Sequence, residues 1–291
     1  MTKKYFLSTL AAVALGFVVS CDNTTDDPPN QNNNNGSSGN TITGPRILAK
    51  INSKISATET KDTEEYITNT GILSQAFLRD AGSSNMTTAT VTYSGDKISK
   101  IRYIDNVNPH VIDNTYNLTY TSGKLTSFTM DQTIVTTTTH SDFEVIYDAN
   151  GQLYRIIEKK KMGSANYTHY AECKFTFSAS NVVKLDYTTM LMSGGSTPTP
   201  DASTSSTMTY AYENYDSKIN PYTTLPKEYF MVINTLFPIN FSNISSNNMG
   251  KLTMYPPTGS PISIPKGYLY DSQNFPVSDQ GQAMKYIYKP L

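Results

Sequence analysis

From residue 87 onward, apolar and polar residues alternate with a period of two in one segment after another. Ala89, Val91 and Tyr93 form the first series. Tyr116, Leu118 and Tyr120 form the second, Phe143, Val145 and Tyr147 the third, and Cys173, Phe175 and Phe177 the fourth. Met208, Tyr210 and Tyr212 make a fifth, with Tyr268 and Tyr270 a partial sixth. Polar residues fill the gaps: Thr90 and Thr92, Asn117 and Thr119, Lys174 and Thr176. Period two is the mark of a strand with one buried face. Each series ends on an aromatic residue, followed by a short turn such as Ser94-Gly95-Asp96, Thr121-Ser122-Gly123 or Asp148-Ala149-Asn150-Gly151. Gly and Asn there supply the positive φ of tight hairpins. The anchors Tyr93, Tyr120, Tyr147, Phe177 and Tyr212 follow one another at 27, 27, 30 and 35 residues. A unit of that length is two strands and two turns, so successive units make an antiparallel meander.

The outgoing strands break the pattern. Ile98 and Ile101 are three apart, as are Leu125 and Phe128, and Leu153 and Ile156. Either these strands show apolar groups on both faces or each carries a bulge. A meander with one apolar face curls into a barrel, wraps a helix or meets a second sheet. The expected fold is mainly β: repeated hairpins curling into a barrel or half-barrel, with one or two short helices. A bilayer-spanning barrel is disfavoured, because the apolar series includes Ala and Cys and is not a uniform lipid-facing band, and because a lipid anchor would be redundant. Two segments read as helical. One is Glu64–Arg79, with Ile67, Ile72, Leu73, Ala76 and Phe77. The other is Pro226–Phe237, with Pro at the first turn and Tyr229, Phe230, Val232, Ile233 and Leu236 at helical spacing.

Residues 1–20 read as a secretion signal: Lys3 and Lys4, then an apolar stretch too short for a comfortable membrane span. It ends Val18-Val19-Ser20-Cys21, which resembles a bacterial lipobox and makes Cys21 the lipidated mature N-terminus. Residues 21–45 read as a polar tether, Asn-rich and nearly free of apolar side chains. Residues 46–291 are then one β-rich domain. With Cys21 lipidated, Cys173 is the only remaining thiol and no intrachain disulfide can form.

Composition agrees with this organisation. Charged residues make up 16% of the 291, against about 25% in ordinary domains. Thr, Ser, Asn and 21 Tyr fill the difference, which favours strands over helical bundles. Lys and Arg total 23 against 24 Asp and Glu, so no basic field exists to draw nucleic acid.

Tyr147-Asp148-Ala149-Asn150-Gly151-Gln152-Leu153 is similar to the Tyr-Asp repeat of Rhs-type proteins, and Tyr270-Asp271 through Val277 is a looser copy. Tyr215-Asp216-Ser217-Lys218-Ile219-Asn220-Pro221 resembles a segment recurring in Bacteroidota lipoproteins of unknown function. The resemblance implies a porin-like antiparallel β fold and no established activity. The acidic residues after Cys21 resemble surface-export tethers, which implies the outer membrane and its outer surface, with the periplasmic face as the alternative.

No nucleotide loop, zinc-protease helix, nucleophile elbow or CxxC pair is present. Ser94-x-x-Lys97 falls in a turn, not at a helix start. His110, His140 and His169 recur near the repeat length, but read best as surface loop residues rather than metal ligands. Asp105, Asn108 and Asp113 lack Ca²⁺-loop spacing. Cys173 alternates with Phe175 and reads as a core residue. No cofactor or metal is expected. Tyr103, Tyr187, Tyr215 and Tyr222 stand at loops and strand ends and form the candidate binding surface. The leading expectation is a non-enzymatic, lipid-anchored envelope protein that binds a glycan, peptide or envelope protein, or serves as a scaffold. The alternatives are an envelope hydrolase acting on glycan or peptide, and a lipid carrier with an apolar concave face.

Overall fold

The computed structural model describes residues 42, 44–80, 84–106, 112–134 and 137–291. The signal and lipidation readings at residues 1–21, and most of the tether, lie outside them.

Eighteen strands form an antiparallel meander. In order they are β1 (Arg46–Lys54), β2 (Thr60–Asn69), β3 (Ile72–Arg79), β4 (Met86–Ser94), β5 (Lys97–Asp105), β6 (Asp113–Thr121), β7 (Lys124–Ile134), β8 (Thr137–Tyr147) and β9 (Leu153–Met162). There follow β10 (His169–Ser178), β11 (Asn181–Ser193), the two-residue β12 (Thr199–Pro200), β13 (Ser206–Glu213), β14 (Lys251–Tyr255), β15 (Ile262–Pro265), β16 (Tyr268–Tyr270), β17 (Pro276–Asp279) and β18 (Met284–Pro290). From β1 to β11 each strand pairs with its sequence neighbour; β11 then pairs with β13, and β13 with β14. The first strand also pairs with the last, Arg46 opposite Pro290. The remaining seam is spanned by one stretch of chain: Ile262–Pro265 pairs with β14, and Tyr268–Tyr270 with β17. The ladder is not continuous across that stretch, which leaves a curled, unclosed sheet.

A bulge resolves the odd spacing of the outgoing strands. Thr92 faces Lys100 while Tyr93 faces Ile98, so Ser99 is one residue too many. The same irregularity leaves Thr126, Tyr154 and Val183 extra in the next three hairpins of the repeat. Ile98 and Ile101 can therefore both point inward, at 3% and 0% exposure. In two of these bulges the extra hydroxyl donates across the hairpin: Ser99 Oγ to Thr92 O and Thr126 Oγ1 to Thr119 O. Bulges bend and twist a strand, and repeating one per hairpin curls the sheet.

The helix expected over Glu64–Arg79 is instead the β2–β3 hairpin, which turns at Thr70-Gly71 with φ of 48° and 81°. A bulge of the same kind at Ser74 explains the difference. It puts Leu73 and Ala76 three apart on the buried face, and three is also a helical spacing. Ser74 Oγ donates to Ile67 O, as Ser99 does in its own hairpin.

The second helix forms, in shorter form, as α1 (Lys227–Ile233) directly after Pro226. Tyr229 to Ile233 are all buried. A short helix buried on every side belongs inside a core, and here it is the centre of a plug (residues 214–250) that the sheet wraps. Phe230 packs against Tyr66 of β2 at 6.3 Å, and Phe241 meets Phe175 of β10 edge-on at 4.8 Å. Between the plug and the turns, Phe128 and Phe143 stack across β7 and β8 at 4.3 Å. Hydrogen bonds tie the plug to the wall: Leu48 N to Thr224 Oγ1, Val182 N to Ser245 Oγ, and Tyr212 Oη to Pro238 O.

The Tyr-Asp segments share one local device. Asp148, Asp216 and Asp271 each accept, through Oδ1, the backbone N–H two residues on. Asp148 and Asp271 also take the N–H four residues on. Tyr147 and Tyr270 end their strands and Tyr215 follows shortly after β13, and the aspartate caps the turn that comes next. In the Tyr215–Pro221 segment the same residues clamp the plug. Asp216 accepts from Asn248 N and from the Tyr270 hydroxyl, and Asn220 Nδ2 donates to Ser242 O and Ser245 O.

Outward positions along β5 to β11 are mostly polar, whereas Ile67, Ile262, Leu269, Val277 and Ile287 are exposed apolar residues on β2 and β15 to β18. Lys100, Arg102, Asn117, Asp131, Glu144, Lys174 and Lys184 are exposed on the convex face. Among the described residues of β5 to β11 this face lacks the apolar outer band of a bilayer-spanning barrel. Among the described residues no helix is long and apolar enough to cross a membrane.

Candidate functional site

The turns after β2, β4, β8 and β10 gather at one rim around the start of the plug, and two cavities open there. The larger, about 470 Å³, lies between the β8–β9 and β10–β11 turns and the plug; Asn150, Phe177, Ser180, Lys227, Asn243 and Ser246 are among its walls. The smaller, about 190 Å³, is bounded by Ile72, Tyr93, Lys97, Tyr120, Pro226 and Glu228. Lys227 and Glu228 are the only Lys, Arg, Asp or Glu between residues 219 and 250. Adjacent in sequence, they face different cavities, so the larger carries a lone cation and no carboxylate, while the smaller carries Glu228 together with Asp96 and Lys97 of the β4–β5 turn.

The repeat's aromatic anchors line this rim. The Tyr93 and Tyr120 hydroxyls are both buried, and among the described residues Tyr120 has no hydrogen-bond partner. Burial first, then the Glu228 charge, pushes both phenols above their ordinary value. Tyr147 is pushed up to about 12 for the same two reasons, and its hydroxyl donates to Leu125 O at 2.9 Å.

Further in, Glu64 of β2 is enclosed by tyrosines. Tyr66 donates to its Oε2 at 2.6 Å, and the Tyr222 hydroxyl lies 3.1 Å from both carboxylate oxygens. Among the described residues no cation pairs with it, and burial raises its pKa against those two hydrogen bonds. A raised folded-state pKa means that the folded protein holds this proton more tightly than the unfolded chain. The associated stability is complete below the ordinary carboxylate range and is lost as pH rises through the folded value. Glu64→Gln keeps an acceptor for both phenols and cannot ionise. Its melting temperature is therefore expected to exceed that of the parent near pH 7 and to converge with it near pH 4. Equal melting temperatures at both pH values would remove Glu64 as a buried proton-binding group.

The four sequence-proposed tyrosines do not gather into one surface. Tyr103 is a core residue at 3% exposure, and its oxygen accepts from Thr87 Oγ1 at 2.8 Å. The strand-end position that suggested accessibility is an inward one, set by the bulge at Ser99. Tyr187 is half-buried on β11 against the core. Tyr215 donates inward to Val182 O at 2.6 Å. Tyr222 alone borders the larger cavity, with its hydroxyl committed to Glu64. Cys21 lies outside the described residues.

Cys173 is buried at 4% exposure, and burial pushes its thiol up, opposite to what a nucleophile needs. His140 and His169 sit on strands, not loops; His110 lies outside the described residues. His140 is held between Asp131 at 2.7 Å and Asp142 at 3.2 Å on the convex side, while His169 contacts Thr168 Oγ1 at 2.8 Å. Asp113 is occupied by Arg102, with the closer contact at 2.9 Å. Asn108 lies outside the described residues. Among the described residues no group of three His, Cys, Asp or Glu side chains is placed to hold a metal ion.

Sequence reading missed Glu64, Lys227 and Glu228. Glu64 fell inside the segment read as a helix. The other two had a legible signal, an isolated pair of charges in a 32-residue stretch that otherwise has none.

No family model matches the chain, and no curated protein matches it by sequence. In fold the chain is similar to the crystal structure of a porin-like protein from Bacteroides vulgatus. That likeness has 12% identity and a TM-score of 0.48, and covers 85% of this chain and all of the other.

Proposed function

We propose that the protein is a non-catalytic, lipid-anchored envelope protein whose β-domain is a binding module, with the larger rim cavity as its site. The observation that carries this reading is the plug. It fills the interior with its own side chains, which leaves the polar rim as the concave surface open to a ligand. The same filling weighs against a lipid carrier, because the space acyl chains would need is occupied. A glycan hydrolase needs two converging carboxylates, and none lines the larger cavity.

The anchor is the lipid on Cys21, and the tether supplies reach from the outer surface of the outer membrane. The polar convex face fits a domain held beside a bilayer, not within one. Cys21→Ser is expected to move the protein from the membrane pellet to the soluble fraction while leaving its circular dichroism unchanged. A variant that still pellets with membranes would sink the anchoring reading.

A further inference from the structure

The larger cavity has a definite chemistry. The carboxamides of Asn150 and Asn243, the hydroxyls of Ser180 and Ser246, and the Lys227 ammonium all border it. Among the described residues none of these five side-chain groups has a hydrogen-bond or ion-pair partner. Carboxamides and hydroxyls both donate and accept, which matches a ligand whose surface is mostly hydroxyl. Phe177 adds a ring face beside them. The one charge is positive, and no carboxylate among the walls neutralises it.

We propose that this cavity binds a sugar acid: a saccharide whose ring hydroxyls meet the Asn and Ser groups, and whose carboxylate pairs with Lys227. The inference rests on the rim cavity being the binding site. It adds the requirement for a negative charge. Lys227 is exposed along its side chain, so replacing it leaves the core untouched. A peptide ligand is the weaker candidate, because the rim offers no unpaired strand edge for main-chain pairing; the β8–β9 and β10–β11 strands beneath it are paired on both sides.

The test is calorimetric titration of the full chain with trigalacturonate and, separately, with its fully methyl-esterified form, which keeps the sugar and removes the charge. The acid is expected to bind, and the ester to bind about 10- to 100-fold more weakly, the loss that follows from a charge-assisted hydrogen bond. Lys227→Gln is expected to weaken the acid by a similar factor and leave the ester unchanged. Lys97→Gln, at the other cavity, is expected to change neither. Equal binding of acid and ester, indifferent to Lys227→Gln, overturns the charge requirement and leaves the binding-module reading standing. Acid binding that survives Lys227→Gln places the site elsewhere and overturns the proposal. Binding of neither form overturns the sugar-acid assignment together with the rim as a saccharide site.

Discussion

Deletion of Thr92 is expected to abolish folding, whereas deletion of Ser99 in the same hairpin is expected to cost only about 1 kcal/mol, a typical net hydrogen-bond contribution. Ser99 is the unpaired residue beside the Thr92–Lys100 pair of β4 and β5, and its hydroxyl donates to Thr92 O. Removing Ser99 closes the bulge. Thr92 still faces Lys100, Val91 still faces Ile101, and every inward residue stays inward. Removing Thr92 makes Val91 and Tyr93 consecutive, and consecutive strand residues point to opposite faces. Either Tyr93 leaves the rim, or Ala89 and Val91 leave the core and Thr88 and Thr90 enter it. Exposing a buried Val costs about 1.5–3 kcal/mol, and each hydroxyl buried without a partner costs about 1–3 kcal/mol. Together these rival the whole stability of about 5–15 kcal/mol expected of a domain. Urea denaturation of both deletions decides the matter. If the two shift the midpoint equally, Ser99 is not a spare residue and the bulge assignment fails.

Phe230→Ala is expected to destabilise the domain by about 3–5 kcal/mol, the usual cost of emptying a large aromatic site. Phe230 is 3% exposed and is the hub of the plug. Its ring lies 6.3 Å from Tyr66, 5.3 Å from Tyr222 and 5.1 Å from Tyr229. Tyr66 and Tyr222 are the two residues that hold Glu64, so the cavity left behind also loosens the hydrogen-bond partners that this enclosed carboxylate has among the described residues. Tyr255→Ala, at 44% exposure on β14, is the matched control and is expected to change stability by less than about 0.5 kcal/mol. Similar midpoints for the two variants in chemical denaturation would mean that the plug is packed loosely and the sheet stands without it.

Much of the sheet is legible in the chain because period two is local. Ala89, Val91, Tyr116 and Leu118 announce their face within a few residues, and the hairpin turns announce themselves by Gly and Asn. The bulges were legible only as a discrepancy, the three-residue step from Ile98 to Ile101, because spacing alone does not say which face the extra residue takes. The same step from Leu73 to Ala76, without a preceding alternation to mark it as a strand, reads as a helix. The rim was the least legible part. Its walls come from turns near residues 71, 95, 150 and 180 and from plug residues beyond 220, and only the curl of the whole sheet brings these together. Tyr103 and Tyr215 illustrate the same limit. Their positions at strand and loop ends suggested accessibility, yet curvature and the clamp at Asp216 turn both hydroxyls inward.

The pairing of β1 with β18 sets an order of assembly. Hairpins from β2 to β11 join neighbours in sequence and can close as soon as their own residues are available. One side of β1 is different: its ladder partner, Met284–Pro290, is distant in sequence and is made after every hairpin from β2 to β11. Until that strand arrives, β1 presents a row of unsatisfied backbone groups, the kind of edge that recruits a strand from a second chain. Pairing of β18 therefore serves as the step that completes the sheet around β1. A chain shortened before Met284 would keep its hairpins and expose a sticky edge, a physical feature that tells a finished fold from an unfinished one.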